Sequence, residues 1–421
     1  MSVFIVAIPL FDSEMSVQAY RLCDQSGDTM LGVGKDFRRM NDALTSHAFE
    51  LVNEIGIDPF TNGQPLFIDI TAFQLLAGML DDMHIDPEKL VAVLPSDTAP
   101  DEAILAQCKK VKEMGAGIAM ADFPRAGVEC PIVEHLDYVI LDFLESSYTM
   151  NLKAMRERAP HVRPIVSSIP DMNTYQLLGR NRGMLFTGQF YSQPITRGTS
   201  ILSPVKVNAL HLLNQVNQED FDLLDIVRII ERDPYLTISL LRFINSGDAS
   251  FSRQIESIKS AVAILGQKQV RRWATVSLSV NLMDDKPSEI TKLSLVRAKF
   301  AENLAGAFEL GVFQSGLFMT GLFSLLDVIL DQPMDQAIRQ VAVNNQVQQA
   351  LVQKKGDFNK VMELIYAYEH ADWDQCTIIM IKNDIKIETL NQAFIDALLY
   401  YNQLLNAVEE DRKEHDEAEQ T

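Results

Sequence analysis

The sequence has few of the residues that build cross-linked or metal-binding proteins. Its 421 residues include four cysteines and two tryptophans, and no two cysteines have the Cys-x-x-Cys spacing of zinc or redox sites. The seven histidines show no H-x-x-H or H-E-x-x-H pattern. We therefore predict reduced cysteines, no metal site and no bound cofactor.

Positive charge is also scarce. The 37 lysines and arginines are outnumbered by 57 aspartates and glutamates, which gives a net charge of −20. A surface that follows a phosphate backbone needs clustered cations, so nucleic acid is not an expected partner. The clearest basic cluster, Lys268, Arg271 and Arg272, fits an exposed helix face.

Long hydrophobic runs are missing as well. No stretch reaches the roughly 18 apolar residues of a membrane-spanning helix. The first residues, MSVFIVAIPLFDSEM, lack the basic start of a signal peptide and fit a strand. We expect a cytoplasmic protein with no membrane insertion.

The first half alternates short β-type runs with amphipathic helices such as Ala72–Met83 and Asp101–Glu113. This order predicts parallel strands covered by helices. Eight strands favour a closed α/β barrel of the TIM type, with any site at the carboxyl ends of the strands, and an open doubly wound sheet is the alternative. The predicted strands are Val3–Ile8, Val17–Leu22, Leu66–Ile70, Leu90–Leu94, Gly117–Phe123, Asp137–Phe143, Pro164–Ser168 and Met184–Thr187.

The second half reads as helical. We predict a barrel over residues 1–195, a linker over 196–206, an all-α domain over 207–405 and an acidic tail over 406–421. Within the helical domain, Asp233 and Pro234 are typical of a helix start. Asn245 and Ser246 are typical of a helix end, and Gly266 is typical of a second one.

These helical residues resemble a known family. The segments IERDPYLTISLLRFINS and SIKSAVAILG are similar to the signature of the HDOD domain. That resemblance implies an all-helical fold related to the HD metal phosphohydrolases but without their metal ligands. The helix that carries adjacent His and Asp ligands in those enzymes has Ser324 and Leu325 in their places, and the segment Leu295-Val296-Arg297-Ala298 supplies no histidine.

The first half resembles the EAL family, barrel phosphodiesterases that hydrolyse the bacterial messenger cyclic di-GMP. The fragments that carry this resemblance are PLFD at 9–12, LFIDI at 66–70, MADF at 120–123, YVILD at 138–142 and TGQFYSQP at 187–194. Their order, their spacing and the HDOD-like region that follows them make up the likeness.

The expected metal ligands are largely missing from this EAL-like half. Arg21 stands where the resemblance places the glutamate of the name-giving motif, and a cation there would repel a metal ion. The surviving acidic positions are Asp69, Asp122 and Asp142. Four other positions where the resemblance implies an aspartate, a lysine, a glutamate and a glutamine carry Ala121, Ile140, a serine at 167–168 and Thr187. We expect the three aspartates to be hydrogen-bonded polar residues at strand ends.

We therefore predict a non-catalytic bacterial signalling protein that acts through protein–protein interaction, with lost metal sites in both halves. A cyclic di-GMP receptor using Arg21 for phosphate, or a residual phosphodiesterase, is the alternative. The expected partner is another signalling protein, with cyclic di-GMP as a candidate ligand and a homo-oligomer as a candidate assembly.

Overall fold

The computed structural model describes residues 4–24, 52–53, 55–82, 84–123, 130–181, 183–193, 204–218, 221–230, 240, 258–283 and 286–419. The chain forms two compact units. One, the barrel unit, contains residues 1–193 and 364–392, and the other, the helical unit, contains residues 194–363 and 393–421. Four residues of the predicted helical motif, Asp233, Pro234, Asn245 and Ser246, lie outside the described residues.

Eight strands close into a barrel in sequence order, so the predicted TIM-type architecture is confirmed and the open sheet is excluded. Each strand lies within a few residues of its predicted position. The strands are β1 (Ile5–Phe11), β2 (Val17–Asp24), β3 (Leu66–Asp69), β4 (Leu90–Pro95), β5 (Gly117–Ala121), β6 (Tyr138–Asp142), β7 (Arg163–Ile169) and β8 (Leu185–Gly188).

Strand β1 departs from the expected parallel arrangement, because it runs antiparallel to both β2 and β8. The connection from Phe11 to Val17 is too short for the crossover that a parallel pair requires. The turn is held by Asp12, whose Oδ1 accepts hydrogen bonds from the backbone N–H groups of Glu14 (2.8 Å) and Ser16 (3.0 Å). As a result, the start of β1 lies at the end of the barrel where β2 finishes.

The barrel interior is filled by side chains from all eight strands, as expected for a barrel of this size. The interior residues are Leu10, Ala19, Phe67, Val91, Val93, Ala119, Ile140, Ile165 and Leu185. Because side chains alternate along a strand, residues two positions further on also point inward. This alternation directs Arg21 and Asp69 toward the interior at the carboxyl end of their strands.

Helices cover the outside of the barrel. They are α1 (Asp58–Thr61), α2 (Ala72–Leu76), α3 (Glu102–Glu113), α4 (Tyr148–Arg158) and α5 (Met172–Leu178). The single helix predicted over Ala72–Met83 is wrong, because α2 ends before Gly78, which has a φ of 70°. A 3₁₀ turn, Met79–Asp82, follows instead.

The described residues that follow the barrel are largely helical, as predicted. The helices are α6 (Pro204–Val216), α7 (Leu223–Ile230), α8 (Ile258–Leu282), α9 (Ser288–Leu304), α10 (Gln314–Leu322), α11 (Leu326–Leu330), α12 (Met334–Ala337), α13 (Asn345–Gln348), α14 (Asp357–Glu369), α15 (Trp373–Lys382) and α16 (Ile387–Glu419). Gly266 interrupts α8 with non-helical angles, φ 71° and ψ 168°, at the predicted helix end.

Two features of the helical region differ from simple expectation. Helix α16 continues through the predicted acidic tail to Glu419, because that tail is rich in strong helix formers. The stretch Gly311–Leu330 has the length and hydropathy of a membrane span, alone among the described residues. The structure breaks it into short helices, and 61% of the apolar window is buried.

The close approach of β8 to β7 depends on Gly188. Its φ is 150°, and a Cβ there would lie 2.3 Å from the carbonyl oxygen of Ile169. We expect Gly188→Ala to lower the free energy of unfolding by about 1–3 kcal/mol through overpacking. Gly183→Ala is the matched control, because Gly183 also has a positive φ but open space around it. Equal losses of stability in urea denaturation would contradict the collision argument.

Candidate functional site

Arg21 and Asp69 form an ion pair at the carboxyl ends of β2 and β3. These strands are neighbours in parallel register, with Arg21 opposite Phe67. Nη2 of Arg21 lies 2.9 Å from Oδ1 and 3.0 Å from Oδ2 of Asp69. The two side chains are 27% and 47% exposed, so the pair contributes only about 0.2–1 kcal/mol to stability. The pair matters for the chemistry of the site, because the guanidinium of Arg21 neutralises the negative charge of Asp69.

The charge on Arg21 is secured by its surroundings. Burial opposes the charged form, but the charge of Asp69, its hydrogen bond and the neighbouring Cys23 together outweigh burial and raise the pKa of the guanidinium. A guanidinium has donors and no acceptor, so it cannot ligate a metal ion. Its Nε is buried and finds no hydrogen-bond partner in the part of the chain that the structure describes.

Asp122 follows β5 in a left-handed conformation with a φ of 70°. Its Oδ1 accepts hydrogen bonds from the backbone N–H of Phe123 and from Nδ2 of Asn151, both at 2.7 Å. Asn151 is a buried residue of α4 that sequence reasoning missed, because nothing in its local pattern marks it. These contacts tie the end of β5 to α4.

Asp142 ends β6 and is also hydrogen-bonded within the barrel unit. Its Oδ1 accepts from the backbone N–H of Leu144 at 2.8 Å. Its Oδ2 accepts from the hydroxyl of Ser168 at 2.9 Å. Ser168 has a φ of 59° at an irregularity in β7, and this places its hydroxyl toward β6. A glutamate was expected near this position from the resemblance.

The structure therefore places Arg21, Asp69, Asp122 and Asp142 at the carboxyl ends of four barrel strands, with a protein partner for each. Among the described residues, no group of three or more His, Cys, Asp or Glu side chains could hold a metal ion. Thr187, at the end of β8, contributes a buried hydroxyl that has no hydrogen-bond partner among the described residues. This end of the barrel thus presents an arginine, three aspartates that accept hydrogen bonds, and hydroxyl groups.

A second arginine lies in the helical unit, in the segment where the resembled HD enzymes supply a metal ligand. Arg297 in α9 is 5% exposed, and its Nη1 donates to the hydroxyl of Ser324 at 3.1 Å. The Ser324 hydroxyl donates to the carbonyl of Gly321 at 2.7 Å. Gly321 permits this approach, because a Cβ there would lie 2.3 Å from the carbonyl oxygen of Arg297. Leu325 is buried in the apolar core.

Asp327 lies one helical turn from Ser324, and burial raises the pKa of its carboxyl group. Its Oδ1 accepts from the backbone N–H of Val328 at 3.0 Å. Arg297 and Lys354 both act electrostatically on this carboxylate, and burial lowers the pKa of the Lys354 ammonium. Arg297 is therefore at the centre of a buried group of polar side chains in the helical unit.

The basic cluster predicted on a helix face is largely used inside the helical unit. Arg272 makes two hydrogen bonds to the carboxylate of Glu302, at 3.0 and 3.1 Å, and its guanidinium lies over the ring of Phe318. Arg271 donates to the carbonyl of Gln218 at 2.7 Å. These two cations are therefore committed to internal contacts.

Comparison with known proteins identifies the class of the helical region. Residues 202–372 match the HDOD domain, so the chain carries an HDOD domain after an eight-stranded barrel. The chain is similar along most of its length to two proteins. It is 25% identical over 416 residues to the uncharacterized protein YuxH of Bacillus subtilis, covering 97% of this chain and 100% of YuxH.

The second relative is the cyclic di-GMP phosphodiesterase CdgJ of Vibrio cholerae, 21% identical over 397 residues and covering 94% of this chain and 91% of CdgJ. Among solved structures, an EAL domain protein from Listeria monocytogenes aligns with 15% identity and a TM-score of 0.35, over 46% of this chain and 88% of that one. The PaMucR phosphodiesterase in complex with cyclic di-GMP aligns with 13% identity and a TM-score of 0.38, over 46% and 97%.

Removing the buried arginine tests the contacts of the helical unit. We expect Arg297→Met to lower the free energy of unfolding by about 1–3 kcal/mol, because the hydroxyl of Ser324 loses its buried donor. Urea denaturation followed by circular dichroism measures the change. Arg339→Met is the control, since that side chain is 73% exposed and its loss should stay within about 0.5 kcal/mol. Similar effects of both substitutions would contradict this role.

Asp327 should give the helical unit a defined pH dependence. Its folded-state pKa lies above the ordinary value of 3.8, so the folded protein binds the proton more tightly than the unfolded chain. Stability is therefore lost as the pH rises from that value through the raised pKa.

We expect Asp327→Asn to reduce this loss and to be more stable than the parent protein at pH 7. Thermal unfolding of the variant and of the parent protein at pH 4 and pH 7 measures this difference in stability. Asp335→Asn, on a carboxylate whose side chain is 51% exposed, serves as the control. A variant that is less stable than the parent at pH 7 would contradict the argument.

Proposed function

We propose that the chain is a non-catalytic signal-transduction protein that acts by binding another signalling protein. The observation that carries the proposal is the ion pair between Arg21 and Asp69, at the end of the barrel where a metal-dependent phosphodiesterase would hold its ions. Two-metal hydrolysis needs carboxylates free to hold divalent cations and activate water. Here one carboxylate is neutralised by a permanent cation.

The other two acidic positions support the same proposal. Asp122 and Asp142 accept hydrogen bonds from backbone N–H groups and from Asn151 and Ser168. Binding a metal would require at least part of these contacts to be exchanged. Arg297 and Ser324, where the HD enzymes carry ligands, likewise make a contact suited to a packed core.

A second candidate function, reception of cyclic di-GMP without hydrolysis, is favoured by the similarity to the cyclic di-GMP phosphodiesterase CdgJ, which aligns over 91% of its length. Arg21 would be the phosphate contact in that case, because a guanidinium matches the geometry of phosphate oxygens. Its side chain retains 27% exposure. Binding would compete with Asp69 for the same Nη2.

Turnover tests the premise that both proposals share, which is that the protein does not hydrolyse cyclic di-GMP. We expect the full-length protein, incubated with cyclic di-GMP and Mg²⁺ or Mn²⁺, to form no linear dinucleotide above the level of the protein-free reaction by chromatography. Metal-dependent product that disappears in Asp122→Asn would overturn the non-catalytic proposal. That variant keeps an oxygen acceptor for its neighbours while removing the charge.

Calorimetric titration with cyclic di-GMP then tests the receptor function. Absence of heat in the parent protein supports action through a protein partner. Saturable binding that weakens at least tenfold in Arg21→Gln, and persists in Arg180→Gln, supports the receptor instead. Arg180 is the matched control, because it is an exposed arginine that follows α5.

A further inference from the structure

Exposed apolar side chains of the barrel unit gather at the end that carries Arg21. Among the described residues before 194, five large apolar side chains are exposed, and four of them belong to the connections that follow β3 and β6: Phe73, Leu76, Leu144 and Met150. Strands β3 to β6 are parallel, so both connections begin at the same end of the barrel. Apolar residues exposed singly are normal, whereas a group at one end of a fold indicates a contact surface.

The backbone that carries Phe73 is held by a capping box at the start of α2. The side chain of Thr71 accepts a hydrogen bond from the backbone N–H of Gln74 at 3.2 Å, and the side chain of Gln74 accepts one from the backbone N–H of Thr71 at 2.8 Å. In this first turn Leu75 is buried, while Phe73 is 67% exposed. The ring of Phe73 is therefore presented to solvent by a fixed helix.

The backbone of Leu144 is held by the end of β6. Its N–H donates to Oδ1 of Asp142 at 2.8 Å, and the N–H of Glu145 donates to the carbonyl of Asp142 at 3.3 Å. The rings of Phe143 and Tyr148 pack edge to face across this turn, with centroids 5.4 Å apart. An apolar side chain on a backbone that is already ordered loses less conformational entropy when a partner binds it.

The same end of the barrel is acidic. We define the rim surface as residues 70–76, 96–103 and 143–150, which follow β3, β4 and β6. These three segments contain no lysine or arginine. Their charged side chains are all exposed carboxylates, from Asp97, Asp101, Glu102 and Glu145. A surface of this sign repels phosphate groups and anionic lipids, and it attracts a cationic partner.

We propose that the rim surface binds a basic amphipathic helix of a partner protein. The apolar face of such a helix covers Phe73 and Leu144, and its lysines or arginines face the four carboxylates. The apolar contacts supply most of the affinity, because exposed charges act mainly on the association rate and on specificity. This inference rests on the proposed function, binding to another signalling protein, and adds the surface used and the chemistry of the partner.

Peptide binding to the full-length protein tests this surface. The probe is a fluorescent peptide of about 18 leucines and lysines with leucine at helical spacing, and fluorescence anisotropy measures its binding. We expect saturable binding that Leu144→Ser weakens about tenfold, because an apolar contact is lost. Leu177→Ser is the matched control and should leave binding unchanged, since Leu177 is 63% exposed but lies in the last turn of α5.

The contribution of charge is tested with a second pair of variants. Glu145→Gln should weaken binding of the same peptide about twofold to fivefold, as expected for one exposed ion pair. Glu113→Gln should leave binding unchanged, because this exposed glutamate ends α3 shortly before β5 begins, at the opposite end of the barrel. This comparison separates the rim surface from the general attraction of a protein with a net charge of −20.

Two altered peptides complete the experiment. A peptide with glutamate in place of lysine, and one with the same leucines and lysines in scrambled order, should both bind at least tenfold more weakly. The proposal is overturned if the first peptide does not bind, if either altered peptide binds as well as it does, or if Leu144→Ser and Leu177→Ser have equal effects. Product in the cyclic di-GMP turnover assay is a separate result, which overturns the non-catalytic function and leaves the peptide measurements valid.

Discussion

The guanidinium of Arg21 sets the chemistry of the barrel end on which the candidate site is built. A permanent cation in that position cannot be a ligand for a metal ion, and its contact with both oxygens of Asp69 occupies the nearest carboxylate. The two remaining aspartates then serve as hydrogen-bond acceptors that fix the ends of β5 and β6. The site is thus polar, and each of its three carboxylates already accepts hydrogen bonds from other groups of the protein.

The helical unit also contains an arginine that is hydrogen-bonded to a neighbouring side chain, although its fold is different. Arg297 is buried beside Ser324, and the missing side chain of Gly321 allows α9 and α10 to approach closely. In both units an arginine stands in a region where the resembled enzymes would place metal ligands. In each unit the arginine makes a hydrogen bond to a neighbouring side chain, Asp69 in the barrel unit and Ser324 in the helical unit.

Local patterns in the sequence were sufficient to predict the eight strands, the barrel and the helix break at Gly266. Arg21 and Asp69 were selected individually by the resemblance to the EAL family. The ion pair between them depends on the register of β2 against β3, which a local pattern does not contain. The contacts of Asp122 with Asn151 and of Asp142 with Ser168 depend on backbone conformations with positive φ at non-glycine residues. Such conformations have no reliable signature.

The longest-range contact explains why the sequence boundary and the physical boundary of the barrel differ. Tyr368 falls inside the stretch that matches the HDOD domain, yet its hydroxyl completes the backbone hydrogen bonding of Ile5 in the barrel unit. Because β1 is antiparallel and meets β8 at one point, the barrel needs a covering element that its own strands do not supply. Residues from the far end of the chain pack against the first residues of β1, so the end of a family match in the sequence is not the boundary of a folded unit.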